Sequence, residues 1–193
     1  SWAAYVWLGF TFLLLTTTLA TDAALWILGA ASTAPQDVLF FARARALLVA
    51  GVASAAAVVA LRQGLAAPGV RRIEIPLARW PRALDGFRIV QISDVHIGPL
   101  LDRRFAAEVA ARVNALAPDL VAVTGDLVDG SVERIGAEVE PLAAIRARHG
   151  VFFITGNHDF YAGAGSWVAG MTECGWRALR NERVAIGECE GSF

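Results

Sequence analysis

From Trp2 to Ala20 the chain carries no charged residue. This run, dominated by Leu, Thr, Ala, Phe and Trp, is about the length that crosses a bilayer as a helix. Asp22 interrupts it, a shorter apolar stretch covers Ala23 to Ala31, and Pro35-Gln36-Asp37 marks a break. A second apolar run, Ala46 to Leu61, is rich in Ala and Val and is bounded by Arg43, Arg45 and Arg62. It reaches spanning length if Val38 to Ala44 joins it with the arginines snorkelling. A cleaved signal peptide and a buried pair of core helices are the competing readings. The first run exceeds the apolar part of a signal peptide, about 7–15 residues, and a second run follows, so membrane anchoring is the stronger expectation.

Past the linker Gly64 to Gly69 the pattern changes. Ile73-Glu74-Ile75 alternates as an edge strand does. Arg88 to Ser93, Leu120 to Thr124 and Val151 to Thr155 read as buried strands. Phe105, Val109, Val113 and Leu116 recur at helical spacing and predict a helix over Arg103 to Ala115, ended before Pro118. Val132 to Arg148 predicts another, with Pro141 a kink or division and Gly150 its stop. A third is expected from Ser166 to Glu173, and Val184-Ala185-Ile186 begins a fourth strand. Alternating strands and helices imply a parallel α/β sheet with helices packed on it. The expected organisation is a transmembrane helical region of about two spans over 1–63, a linker with the edge strand over 64–84, and a catalytic domain over 85–193.

Composition supports the division. Of 193 residues 56% are hydrophobic, and a mean hydropathy of +0.51 is high for an ordinary soluble domain. Net charge is −1 and all 17 basic residues are Arg, so nothing argues for nucleic acid as a partner, and the missing Lys excludes Schiff-base chemistry. Arg62, Arg71, Arg72, Arg79 and Arg82 follow the second run, against two arginines before it, which favours a cytoplasmic catalytic side. Cys174 and Cys189 form no metal or disulfide framework. The chain starts at Ser1 rather than Met and stops at Phe193, and is expected to be a piece trimmed at both ends.

Each predicted buried strand runs into polar residues: Asp94-Val95-His96, Gly125-Asp126 with Asp129, and Gly156-Asn157-His158-Asp159. Asp94, Asp126 and Asn157 are each just over thirty residues apart, about one βαβ unit. Right-handed crossovers bring such strand ends to one edge of one sheet, where open α/β sheets bind ligands. The gathered donors, carboxylate, imidazole and amide, suit a divalent metal. Asp94 and His96, two apart on an extended exit, would face one side and chelate one ion. Gly98 would permit the turn away. Gly125 and Gly156 would leave room beside Asp126 and Asn157, and Asp126 has enough lone pairs to bridge two metals about 3.5–4 Å apart. His158 would stand beside the metals as a proton donor or phosphate contact, with Asp159 fixing its tautomer and raising its pKa.

Other polar residues have structural readings. Asp129 orders its loop, Asp119 caps or turns at the opposite end of the sheet, and His149 caps a helix C-terminus. Phe160 and Tyr161 line a cleft or pack in the core, and Leu100 and Leu101 either face lipid substrate or membrane or, the stronger expectation, are buried.

The three segments resemble the first three signature blocks of the calcineurin-like metallophosphoesterases, over roughly Leu84 to Glu182, and are similar in particular to its membrane-associated bacterial branch. That resemblance implies a metallophosphoesterase-type β-sandwich flanked by helices, of which this chain holds the first half, behind transmembrane α-helices in a bacterial inner membrane. It implies Asp94 and His96 on one metal, Asp126 bridging, Asn157 on the second, and His158 as phosphate-contacting acid. The family draws further histidines from later sequence, so this chain is expected to hold about half of the site and to be inactive alone. The expected cofactors are two divalent ions, Mn, Fe or Zn, and the expected reaction is hydrolysis of a phosphodiester or pyrophosphate on a membrane-associated or lipid-linked substrate. The alternatives are a phosphoprotein phosphatase and a non-catalytic membrane receptor with a degenerate domain.

Overall fold

Helix α1 spans Trp2–Ile27 and helix α2 spans Pro35–Gly64 in a computed structural model that describes residues 2–28, 35–66 and 68–186. The helix runs on through Asp22, and Pro35, expected as a break, is the first residue of α2. A proline fits there because its missing N–H would have no intrahelical partner anyway. Both helices are long and apolar enough to cross a membrane. The hydroxyls of Thr17, Thr18 and Thr21 each donate to the carbonyl four residues back at 2.7 Å, which satisfies them without water. Val49 and Ala53 are buried between the helices, whereas Trp7 and Leu47 are 68% and 75% exposed.

Residues 67–193 form a separate compact unit. Its sheet has four parallel strands in the order β1-β2-β3-β4: β1 Ile89–Ile92, β2 Leu120–Val123, β3 Val151–Phe153 and β4 Arg177–Ala178. Helices α3 Arg103–Ala115, α4 Val132–Val139, α5 Asn157–Tyr161 and α6 Ala164–Glu173 complete it. Ile92, Val121, Val123 and Phe153 line the buried face, packed with Val109, Val113, Leu142 and Trp167. Ile89, Gln91, Ala122 and Phe152 share the other face, where they are exposed or half-buried. A second sheet, which a sandwich requires, is not among the described residues.

Four expectations change. Ile73-Glu74-Ile75 pairs with no strand among the described residues, and Ile73 and Ile75 are 68% and 72% exposed. Alternation states which face a strand would bury but provides no neighbouring edge. Val184-Ala185-Ile186 is not a strand either, and the residues after Ile186 lie outside those described. The fourth strand is Arg177–Ala178, continued by Leu179 donating to the Phe153 carbonyl at 2.8 Å, a pairing too short to leave a period. The helix from Val132 stops at Val139 and becomes a 3₁₀ turn over Glu140–Ala144, because Pro141 has no N–H for the α ladder. His149 therefore caps no helix; its N–H donates to the Asp119 carbonyl at 2.7 Å in the entry to β3. Asp119 does lie at the amino end of the sheet, accepting from the Arg88 N–H at 2.8 Å. Cys174 is exposed, and Cys189 lies outside the described residues.

Candidate metal centre

Because β1, β2 and β3 are adjacent and parallel, the three polar segments leave the sheet at one edge. Their backbones are laced together. The N–H groups of Asp94, His96 and Ile97 donate to the carbonyls of Gly125, Asp126 and Leu127 at 3.2, 3.1 and 2.9 Å, and Asp129 donates back to Ile97 at 2.8 Å. This lacing carries the β1–β2 pairing past the site as a parallel bridge between Ile97 and Val128. The exit from β1 is not extended, contrary to expectation. Asp94, His96 and Asp126 have φ of 55°, 51° and 51°, the left-handed region that non-glycine residues adopt only where surrounding contacts over-determine it.

The glycines serve loop contact more than turning. Gly125 has φ +97°, and a Cβ on it would lie 2.5 Å from the Gly156 nitrogen; a Cβ on Gly156 would collide with the Asp126 carboxylate. The second and third loops thus touch backbone to backbone, which holds the Asp126 carboxylate against Gly156 and the His158 N–H. Gly98 lets Asp129 approach, since a Cβ there would sit 3.1 Å from the Asp129 Cβ.

His96, Asp126 and His158 each offer a ligand atom, all within 4.8 Å of one another. The Asp126 carboxylate also accepts from the His158 backbone N–H at 2.9 Å. Asp94 lies outside this cluster, exposed, with the Ser93 hydroxyl donating to it at 2.5 Å; its charge still acts on His96. Asn157 is the exposed first residue of α5 at the same edge. His158, expected beside the metals without necessarily binding them, is inside the cluster.

Asp129 has the role expected of Asp159. One of its oxygens lies 2.9 Å from His96 Nδ1 and 2.7 Å from His158 Nδ1, with the two rings edge-on at 4.5 Å. A carboxylate can only accept, so both imidazoles carry hydrogen on Nδ1 and keep Nε2 as the free position. Trp167 braces this loop by donating to the Gly130 carbonyl at 3.0 Å. Asp129 was legible as a loop residue; its double pairing depends on two other loops and leaves no local sign.

Asp159 instead is fully buried, accepting from Leu127 and Val128 N–H at 2.8 and 3.1 Å through one oxygen and from Gly156 N–H at 2.9 Å through the other. It clamps the second loop to the third. Asp159→Asn must turn an NH₂ toward an amide N–H, so it should cost about 1–3 kcal/mol. Thermal unfolding of the variant checks this, together with faster amide exchange at Leu127 and Gly156; unchanged unfolding would deny the clamp.

The His96 pKa is raised, first by its hydrogen bond to Asp129 and then by the charges of Asp129, Asp126 and Asp94, against a lowering by burial. In metal-free protein its protonated form is therefore favoured: the associated stability is present below 6.5, the ordinary value, and is lost as pH rises through the raised one. A metal must displace that proton, so apparent affinity should climb with pH across the same window. An NMR titration of the ring protons should find the midpoint above 6.5, returning toward it in Asp129→Asn; an unmoved midpoint would remove Asp129 as the cause.

Phe160 and Tyr161 are 71% and 81% exposed, not core, and the Tyr161 ring lies 6.4 Å from that of His158. Leu100 is exposed and Leu101 half-buried, against the expected burial.

A carboxylate and two imidazoles gathered at the carboxyl edge of a parallel α/β sheet form a candidate divalent-metal site. Residues 87–182 match the family model for calcineurin-like phosphoesterase, and through them the chain belongs to that family of metal-dependent phosphoester hydrolases. The chain is 38% identical over 120 residues to a Danio rerio protein named "Transmembrane protein with metallophosphoesterase domain", a match covering 62% of this chain and 28% of the relative. It is 34% identical over 143 residues to a Bos taurus protein of the same name, covering 74% and 32%. An "Uncharacterized metallophosphoesterase" of Helicobacter pylori is 32% identical over 125 residues, covering 65% and 33%. The chain thus spans about a third or less of these relatives. No solved structure matches it significantly. Relatives named as transmembrane proteins and two spanning-length helices point to a membrane protein.

Proposed function

We propose that the protein hydrolyses a phosphodiester or pyrophosphate bond with a metal-activated water, on a membrane-associated or lipid-linked substrate. The observation that carries this reading is the convergence of three strand ends, which places ligand atoms of His96, Asp126 and His158 within 4.8 Å. The donor set, oxygen from carboxylates and nitrogen from imidazole, fits Mn, Fe or Zn. Asp94, His96, Asp126 and Asn157 would hold two such ions, with Asp126 shared. Ions of this kind lower the pKa of water toward ~7 and neutralise charge at phosphorus, so no Ser or Cys nucleophile is needed.

The protein's own groups do the rest. His158 protonates the leaving oxygen or steadies the phosphoryl group, oriented by Asp129 at its Nδ1. Asp159 acts at a distance by holding the loops and does not touch substrate. Two apolar helices support a membrane-surface substrate, and the arginines after α2 support a cytoplasmic catalytic side in a multi-pass, bacterial inner-membrane protein.

Turnover by the natural gene product is the test. Loaded with Mn²⁺, it should cleave diester or pyrophosphate substrates faster than monoesters. Normal metal binding without cleavage of any of them would overturn the reading, and a preference for phosphorylated protein would replace it.

A further inference from the structure

Four residues past the end of α2 at Gly64, the chain is tied to the second compact unit, where the Pro68 carbonyl accepts from the Arg112 guanidinium of α3 at 3.1 Å. From Pro68 to Arg79 every residue is exposed, and none belongs to a helix or strand. The hydrogen bonds of this stretch among the described residues lie at its ends, at Pro68 and where the Leu77 carbonyl accepts from the Trp80 N–H at 3.1 Å. The guanidiniums of Arg71, Arg72, Arg79 and Arg82 have no ion pair and no hydrogen-bond acceptor among the described residues.

The charge is one-sided with every acid counted. Between Gly64 and Phe87 the charged residues are Arg71, Arg72, Arg79 and Arg82 against Glu74 and Asp85, and Arg62 in the last turn of α2 is a further positive charge. Asp37, the nearest acid before them, is at the other end of α2. Arg112 adds nothing to the balance, because Glu108 pairs with it at 3.1 Å. Four exposed apolar side chains, Val70, Ile73, Ile75 and Leu77, would suit many surfaces. Unpaired guanidiniums suit an anionic one, since their planar donors match a phosphate. The bilayer surface is also near by chain length alone: Arg71 is seven residues past Gly64, a reach of about 25 Å at most.

We propose that residues 68–82 lie on the anionic headgroup surface of the bilayer that α2 leaves, with Arg71, Arg72, Arg79 and Arg82 on lipid phosphates. Clusters of about 4–8 basic residues directly after a span bind anionic leaflets in this way. The contact would hold the compact unit against the membrane, because Arg112 ties the start of the segment to α3. The proposal rests on the two helices lying in a bilayer and is independent of phosphoester hydrolysis.

Fluorescence of the full chain in nanodiscs tests it, with a dye on Ala78→Cys in a background of Cys174→Ser and Cys189→Ser. A share of phosphatidylcholine headgroups carries a nitroxide quencher. Quenching should be stronger when the remaining lipid is phosphatidylglycerol than when it is phosphatidylcholine. The difference should vanish at about 1 M salt, where charges are screened beyond about 3 Å. Each arginine removed should weaken surface binding by about fivefold, so Arg71→Gln with Arg72→Gln should abolish most of the difference, whereas Glu74→Gln should enlarge it. Arg134→Gln, on α4 of the same unit, should leave it unchanged. Equal quenching in both lipids, the result of a segment that is solvated or paired with protein, overturns the proposal. A difference that survives the double substitution or salt also overturns it, since the contact is then not made by charge. Alkaline extraction of the wild-type chain from membranes would overturn the membrane reading as well.

Discussion

Asp126→Asn should strip the site of metal and lower turnover in parallel. The loss of affinity should exceed the about 10–100-fold that removing a partner of a ligand costs, because a ligand atom itself loses its charge. The change is otherwise mild. Asparagine tolerates the left-handed backbone found at this position, φ 51°, and its carbonyl oxygen can still accept the His158 N–H that Asp126 now accepts at 2.9 Å. Folding should therefore survive, and the defect should appear as lost metal in elemental analysis together with turnover that excess Mn²⁺ partly restores. Native metal content in the variant would mean that the cluster of His96, Asp126 and His158 is not where the ions bind.

His158→Asn should separate turnover from metal. A positioned general acid contributes about 10²–10⁴-fold, so the rate should fall by that much while metal content stays near native. The experiment is decisive because the fold places a His158 nitrogen within 4.8 Å of the ligand atoms of His96 and Asp126. If His158 is a ligand after all, its variant will lose metal as Asp126→Asn does, and the acid role will fall. Asp129 gives a control of another kind: it touches both histidines through Nδ1, so its removal should disturb metal and rate together.

Much of this was legible in one dimension because it depends on local pattern. An uncharged run of spanning length, followed by a second apolar run, favours membrane helices over a signal sequence or core helices. The spacing of Phe105, Val109 and Val113 requires an apolar helix face, and α3 spans Arg103–Ala115 as that spacing predicts. Polar residues ending buried strands about thirty apart share one edge if the strands are parallel and adjacent, and there His96, Asp126 and His158 meet while Asp94 stays outside the cluster. The misplaced elements share one cause. Ile73-Glu74-Ile75 has the alternation of a strand but no neighbour among the described residues, whereas Arg177–Ala178 has no such pattern and gains strand character from pairing with β3. Strand pairing is a property of two segments, and neither of them records it.

By itself the sequence determined the chemistry on offer: which donors exist, that they follow strands, that apolar helices precede them, and that glycines flank the critical acids. Only the tertiary structure decided how those donors divide the work. Asp129 and Asp159 are both carboxylates beside the site, and adjacency along the chain favours Asp159 as the partner of His158. The folded loops bury Asp159 against three backbone N–H groups and leave Asp129 facing two imidazoles. A carboxylate's role follows from which donors reach its oxygens, and here all of them but the neighbouring Gly156 N–H come from loops about thirty residues away.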